Sequence, residues 1–358
     1  MADITDLRVR IVNPPLATPH ATASGVIASF PMVLLDLNTD GGPTGCAYVF
    51  PYTMVAAPAV ARLLADVAPL LRGQPCAPLE IEALLRKRFR LLGAHGLVAM
   101  AMAAVDMAAW DVVCKSSGLP LFAQLGGARR ASLVYAPVGM AGAEGAVREG
   151  RAGVALGFRG VKAKIGYPTL AEDLAVLRAL RAALGNDITV MADYNQSFDV
   201  PEAARRCAAL DNEGLAWIEE PTTAEDFAGH AAIARATRTP IQAGENWWGA
   251  LEFRKAITAG ATDLLMPDVM KVGGISAWLR VAALADAHGM PISNHLFPEV
   301  SAHLMAVAPT AGWFEWCDWS NPVIDEPAAI EDGRVLPGVR PGIGIAWNED
   351  AVRAHQVH

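Results

Sequence analysis

Charge is what this 358-residue chain has least of: 18% of its residues are Asp, Glu, Lys or Arg against 53% hydrophobic, and no run of five like charges occurs. A disordered chain needs the opposite balance, so a mostly disordered protein is excluded. Its 29 basic and 37 acidic side chains leave a formal net charge of −8. With no basic stripe, the chain is not a general nucleic-acid binder. Cysteine is scarce too. Cys46, Cys76, Cys114, Cys207 and Cys317 are odd in number, widely spaced and free of any C-x-x-C pairing, which reads as reduced core thiols rather than a disulfide framework or a zinc site. The Ala-rich stretch around Met100 to Trp110 is broken by Asp106 and Asp111 before it reaches the ~20 residues of a membrane helix. The chain opens Met-Ala-Asp-Ile-Thr-Asp, acidic where a secretory signal is basic and then apolar. The expectation is a cytoplasmic enzyme-sized protein with no membrane or nucleic-acid partner.

At roughly 100 to 200 residues per domain, the length accommodates one large domain or two. Leu7 to Val12, Pro31 to Leu37 and Cys46 to Phe50 read as strands, with Gly41-Gly42-Pro43 as the hairpin turn between the last two. Pro58 to Leu71, Ala77 to Phe89 and Leu97 to Lys115 carry apolar residues at the helical period. Residues 1–125 are therefore expected to form an α+β unit. After Leu125-Gly126-Gly127 the texture changes to short apolar runs alternating with helical patterns. The runs are Leu133 to Val138, Gly160 to Ile165, Ile188 to Ala192, Ala216 to Ile218, Ile241 to Ala243, Leu264 to Met266, Pro291 to Ser293 and Trp313 to Phe314. Eight of them predict an α/β fold for residues 126–358, a parallel (β/α)8 barrel with a C-terminal segment.

In such a barrel the chemistry sits at the C-terminal ends of the strands. Those exits carry Lys162 and Lys164, Asp193 and Asn195, Glu219, Glu245, Asp268, His295 and Glu315. Ions at a barrel mouth are costly unless paired or metal-bound, so the set calls for a functional explanation. Asp193, Glu219 and Glu245 recur once per βα unit, 193 to 219 to 245, 26 residues each time. Three converging carboxylates need a cation between them. Oxygen ligands without Cys or His select Mg²⁺, with Mn²⁺ as the substitute. Whether Glu219 or Glu220 is the ligand depends on strand register, which the sequence leaves open. Lys162 and Lys164 share one face of a strand; two adjacent ammonium groups are expected to depress each other's pKa and leave one neutral enough to act as a base. Asp268 would orient His295 and raise its pKa, making it a second acid/base on the far side of the barrel. His230 and His303 lie in helical patterns and read as structural or surface residues.

Lys162-Ala163-Lys164, Asp193-Tyr194-Asn195, Trp217-Ile218-Glu219-Glu220-Pro221, Gly244-Glu245-Asn246, Met266-Pro267-Asp268, Ser293-Asn294-His295-Leu296-Phe297 and Trp313-Phe314-Glu315 resemble the mandelate racemase group of the enolase superfamily over nearly the whole chain. The resemblance implies that residues 1–125 cap the barrel and that Asp193, Glu219 and Glu245 hold Mg²⁺. It further implies Lys164 as one base and His295, with Asp268, as the opposite one. Lys162 would be the cation near the substrate carboxylate, Asn195 a polar contact to the substrate, and Glu315 the acid that hydrogen-bonds the carboxylate oxygen. The capping loop from Leu16 to Ile27, with His20 and Ser24, and the aromatic pair Phe50 and Tyr52 would line the substrate pocket. Pro137 stands where the group carries a hydroxyl side chain, and His20 and Ser24 are more polar than an aryl pocket would be.

The implied chemistry is removal of the α-proton of a small-molecule 2-hydroxycarboxylate through an enolate, in a homo-oligomer. With base candidates on both faces, racemisation or epimerisation is the expected outcome. Acid-sugar dehydration is the alternative, since one group could abstract the proton while His295 protonates a departing β-hydroxyl. A non-catalytic binding barrel is the remote alternative, because no strand-end position has been lost.

Overall fold

The computed structural model describes residues 2–23 and 25–357. The chain begins with β1 (Ile4–Val12), β2 (Pro15–Thr22), β3 (Gly25–Ser29), β4 (Met32–Thr39) and β5 (Gly45–Val49). β1, β4 and β5 form an antiparallel sheet in the order β1-β4-β5. α1 (Ala57–Leu71), α2 (Pro78–Arg88), α3 (Gly96–Ser117) and the short α4 (Leu121–Gln124) follow. β4 and β5 are almost wholly buried, as expected of strands covered on both faces. The predicted loop from Leu16 to Ile27 is in fact a two-stranded hairpin, β2 paired antiparallel with β3 and separate from the main sheet.

α3 is long and apolar enough to cross a membrane, contrary to the sequence expectation that Asp106 and Asp111 would break the run, yet 83% of its apolar stretch is buried inside the protein. A helix apolar all round belongs in a core. Gly45 lets β5 approach α3 closely, because a Cβ there would lie 2.0 Å from the Ala108 carbonyl oxygen. The two aspartates are fully partnered: Asp106 accepts from the Ser276 N–H at 3.0 Å and the Ser276 hydroxyl at 2.6 Å, and Asp111 accepts from Cys46 N and Ile343 N and pairs with Lys115 at 2.6 Å. Both therefore join the capping unit to later segments of the chain. All five cysteines are free and buried.

The barrel alternates β6 (Ser132–Val138), α5 (Gly142–Ala155), β7 (Gly160–Lys164), α6 (Leu170–Leu184), β8 (Thr189–Asp193), α7 (Val200–Leu210), β9 (Ile218–Glu219), α8 (Phe227–Ala236), β10 (Ile241–Ala243), α9 (Gly249–Ala259), β11 (Leu264–Leu265), α10 (Ile275–Ala287), α11 (Pro298–Val307) and β12 (Trp313–Glu315). The strands run parallel from β6 to β11 in chain order, and β12 closes on β6. The predicted strand Pro291 to Ser293 does not form. Isolated bridges take its place, Ile292 to Leu265 on one side and Ala311 on the other, and His295 to Asp268, which sets the polar stretch Ser293-Asn294-His295 at the barrel mouth. The C-terminal segment returns to the capping unit, where Gln356 and Val357 pair antiparallel with β1.

Two buried histidines carry no part of the barrel-mouth chemistry. His303 on α11 accepts from the Phe122 N–H at 3.3 Å, and burial pushes its pKa down to about 4. His230, also buried, is lowered by burial. Below the ordinary histidine pKa of about 6.5 the unfolded chain takes up protons that the folded one refuses, so stability is lost as pH falls from 6.5 toward 4. His303 alone accounts for about 3 kcal/mol of that loss at pH 4. His303→Gln, which keeps an acceptor for Phe122, should flatten the fall in unfolding temperature between pH 6.5 and 4; an unaltered slope would refute the assignment.

Candidate active site

Register decides which side chains meet. In the parallel ladders Lys164 lies beside Asp193, Asp193 beside Glu219, and Glu219 beside Gln242, so their inward side chains share one level of the barrel. Ligand-capable atoms of Asp193, Glu219 and Glu245 lie within 4.8 Å of one another, and all three residues are buried. Glu219 is further held by Trp217 Nε1 at 3.0 Å and Gln242 Nε2 at 2.9 Å. Glu220 leaves the strand with φ +39° and instead accepts from Asn246 Nδ2 at 2.9 and 2.8 Å. One Glu245 oxygen has no hydrogen-bond donor among the described residues, although His295 Nε2 is 3.3 Å away. Buried oxygen ligands converging around an unsatisfied carboxylate suit a hard divalent cation, so the donor set fits Mg²⁺.

The lysines differ from the expectation that one would be made neutral by its neighbour. Lys162 Nζ contacts Glu219 at 2.5 Å, Glu315 at 2.8 Å and Asp193 at 3.4 Å, and Lys164 pairs with Asp193. Burial opposes the charge on Lys162, but Glu219 and Glu315 hold its pKa well above the usual lysine value. Lys164 is likewise opposed by burial and raised by Asp193. Carboxylates outweigh the mutual repulsion of the two ammonium groups. A divalent cation shared by those carboxylates would compete for their charge and loosen the proton on Lys164.

Glu315 differs in the same way: against the effect of burial, Lys162 holds its carboxyl below the usual range, so it stands as an acceptor rather than as the expected hydrogen-bonding acid. Its second oxygen has no hydrogen-bond partner among the described residues. Across the barrel, His295 Nδ1 lies 2.7 Å from Asp268 Oδ2. Burial would lower this imidazole, but Glu245 and the bond to Asp268 push it up to about 9. Asp268 is fixed in turn by the N–H groups of Met270 and Lys271 at 2.8 and 3.0 Å.

A cavity of about 540 Å³ opens above these groups, bordered by Lys164, Glu245, His295 and Glu315 from the barrel and by His20, Phe50 and Tyr52 from the capping unit. Pro137 and Asn195 also line it. Ser24 lies outside the described residues. The hairpin that carries His20 is fastened to the barrel by the Met140 N–H, which donates to the Ala21 carbonyl at 2.8 Å. His20 packs on Trp319 with ring centroids 5.5 Å apart; burial and then Lys164 push its pKa down to about 4, leaving a neutral imidazole. Phe50 packs between Phe30 and Tyr52 in tilted ring contacts, with centroids 4.3 and 4.5 Å away. Tyr52, Asn195, Gln196, Glu220 and Leu296 all have positive φ, so backbone strain is concentrated around this mouth. Sequence reasoning missed Gln196, Asn246, Lys271 and Trp319 as cavity residues. Asn246 and Gln196 directly follow Glu245 and Asn195, and that adjacency was the available signal.

Comparison with known proteins matches residues 4–126 to the mandelate racemase/muconate lactonizing enzyme N-terminal domain and residues 145–351 to the enolase C-terminal domain-like family. The L-talarate/galactarate dehydratase of Salmonella typhimurium is 36% identical over 74% of this chain and 68% of its own length. The structure of an enolase from Bradyrhizobium complexed with magnesium and mandelic acid is similar with TM-score 0.96 and 44% identity, covering 100% of this chain and 99% of that one. The L-talarate dehydratase from Polaromonas sp. JS666, complexed with Mg and L-glucarate, is similar with TM-score 0.91 and 31% identity, covering 100% and 98%.

Proposed function

Because the chain belongs to the mandelate racemase/muconate lactonizing enzyme family of the Mg²⁺-dependent enolase superfamily, we propose that it is an acid-sugar dehydratase acting on a 2,3-dihydroxycarboxylate. The observation that carries this reading is the lining of the cavity. Asn195, Gln196, Asn246 and the neutral His20 border it, and an aryl group buried there would strip these polar atoms of water without replacing their hydrogen bonds, which is costly. The hydroxyls of a polyol acid satisfy them. Dehydration thus displaces racemisation, the outcome that two opposed bases suggested, as the better supported reading. The aromatic wall of Phe50 and Tyr52, together with the Bradyrhizobium enolase complexed with mandelic acid, favours aryl 2-hydroxy acid racemisation as the second reading.

In the proposed reaction Mg²⁺, held by Asp193, Glu219 and Glu245, supplies the positive charge that offsets the negative charge developing on the substrate carboxylate. Lys162, itself held by Glu315 at 2.8 Å, positions that carboxylate. Lys164 Nζ takes the proton from C2, and the imidazole of His295, oriented by Asp268, gives its proton to the hydroxyl leaving C3, which departs as water. The enol left behind takes a proton at C3 to become a 2-keto-3-deoxy acid, and His295 is reprotonated. The test is a panel of acid sugars beside both mandelate enantiomers, with Mg²⁺ present, assayed for 2-keto acid and for optical rotation. At least one acid sugar should yield keto acid. Loss of rotation without keto acid would overturn dehydration and promote racemisation. His20→Val, which removes a neutral hydrogen-bonding group from the pocket, should raise KM for the acid sugar about 10-fold or more; an unchanged KM would place the discrimination deeper in the barrel, at Pro137.

A further inference from the structure

Lys271 is buried, 5% exposed, and borders the cavity, yet it has no part in the chemistry described above. Arg10, Lys162, Lys164 and Arg206 are the other buried lysines and arginines among the described residues, and each has a carboxylate within 4.0 Å. Lys271 has none among the described residues. Its Nζ donates to Asn246 Oδ1 and sits 4.5 Å from the centroid of the Tyr52 ring and 5.7 Å from that of Trp248. The ammonium has three donors, and among the described residues only the one to Asn246 has an acceptor. Aromatic faces ease the charge but do not neutralise it, and a buried ammonium without a counter-ion is unfavourable. Glu220 and Glu245 share Asn246 with it without pairing directly, so two of its donors remain open to an anion in the cavity.

Resting on the dehydratase reading, we propose that Lys271 binds a second carboxylate at the end of the substrate away from the reacting carbons, so that the preferred substrates are sugar dicarboxylates (aldarates) rather than monocarboxylate aldonates. Position supports this. Asn246 links Lys271 to Glu245, its Nδ2 lying 3.1 Å from a Glu245 oxygen, so the second cation stands one amide away from the carboxylate cluster. Tyr52 brings the capping unit to the same point, which places Lys271 where barrel and cap meet. A hydroxyl at this position would fill a donor but leave the charge uncompensated; a carboxylate does both.

The direct test is calorimetric binding of two unreactive six-carbon acids to the Mg²⁺-loaded protein: adipate, with carboxylates at both ends, and hexanoate, with one. Removing one partner of a buried charge pair commonly weakens binding by about 30-fold or more, so adipate should bind wild-type protein at least about 30-fold more tightly. Lys271→Met should abolish that preference while leaving hexanoate affinity unchanged, and Lys271→Arg should retain it. Equal affinities in the wild type, or a loss in Lys271→Met that falls equally on both acids, would overturn the proposal, and the wild-type comparison holds even if a variant fails to fold. In parallel, galactarate and glucarate are compared with galactonate and gluconate as substrates, the effect of Lys271→Met being expected on KM rather than kcat. Turnover of aldonates in preference to aldarates would sink the Lys271 assignment and leave dehydration standing. A clear adipate preference with no turnover of any sugar acid would do the reverse.

Discussion

Exhaustive chelation is expected to lower turnover by at least about 10³-fold, and added Mg²⁺ to restore it. Removing a single group that stabilises developing charge typically costs ~10² to 10³ in rate, and a divalent cation at the reacting carboxylate contributes more than one such donor. The fold should survive the treatment, because Lys162 and Lys164 already neutralise Asp193 and Glu219 without the metal. Glu219→Gln should weaken Mg²⁺ binding, measured by calorimetry, well beyond Glu220→Gln. The reason is geometric: Glu219 points into the cluster with Asp193 and Glu245, while Glu220 is turned toward Asn246. Full activity after metal removal, or the opposite order for the two glutamine variants, would contradict this arrangement.

The second large effect belongs to the two groups that handle protons. Lys164→Ala should abolish both keto-acid formation and α-proton exchange, a loss of ~10² to 10⁴ in rate. His295→Asn should abolish keto-acid formation to a similar degree while Lys164 still exchanges the α-proton of the correct C2 configuration with solvent. The asymmetry follows from position, since Lys164 and His295 come from well-separated strands and each reaches one side of a planar enolate. If His295→Asn instead lost exchange of one enantiomer and kept that of the other, His295 would be acting as a base, as in racemisation.

How far the sequence could carry these conclusions depended on what kind of signal each residue left. The barrel and the capping sheet were legible because their strands and helices have strong apolar periods. The carboxylate cluster was legible because one βα unit separates each member. What the sequence could not show was the outcome of competing charges. Two neighbouring lysines suggested a neutral amine, but four carboxylates from Asp193, Glu219, Glu245 and Glu315 surround them and reverse the sign of the shift. Register gave the choice between Glu219 and Glu220, since a single-residue step reverses the facing of a strand. The β2–β3 hairpin was read as a loop because Pro15, Pro19 and two threonines obscure its alternation. Lys271 left no pattern at all. Its significance lies in having no carboxylate within 4.0 Å among the described residues, a property of three-dimensional packing alone.

The most direct test of dehydration is the fate of hydrogen in D₂O. The wild-type enzyme, loaded with Mg²⁺, is incubated with an acid sugar that it turns over, and both product and recovered substrate are analysed by NMR. The account predicts a 2-keto-3-deoxy acid carrying one solvent deuteron at C3, with the original C2 hydrogen released to solvent. A recovered 2-hydroxy acid deuterated at C2 in both configurations, with no keto acid formed, would contradict it.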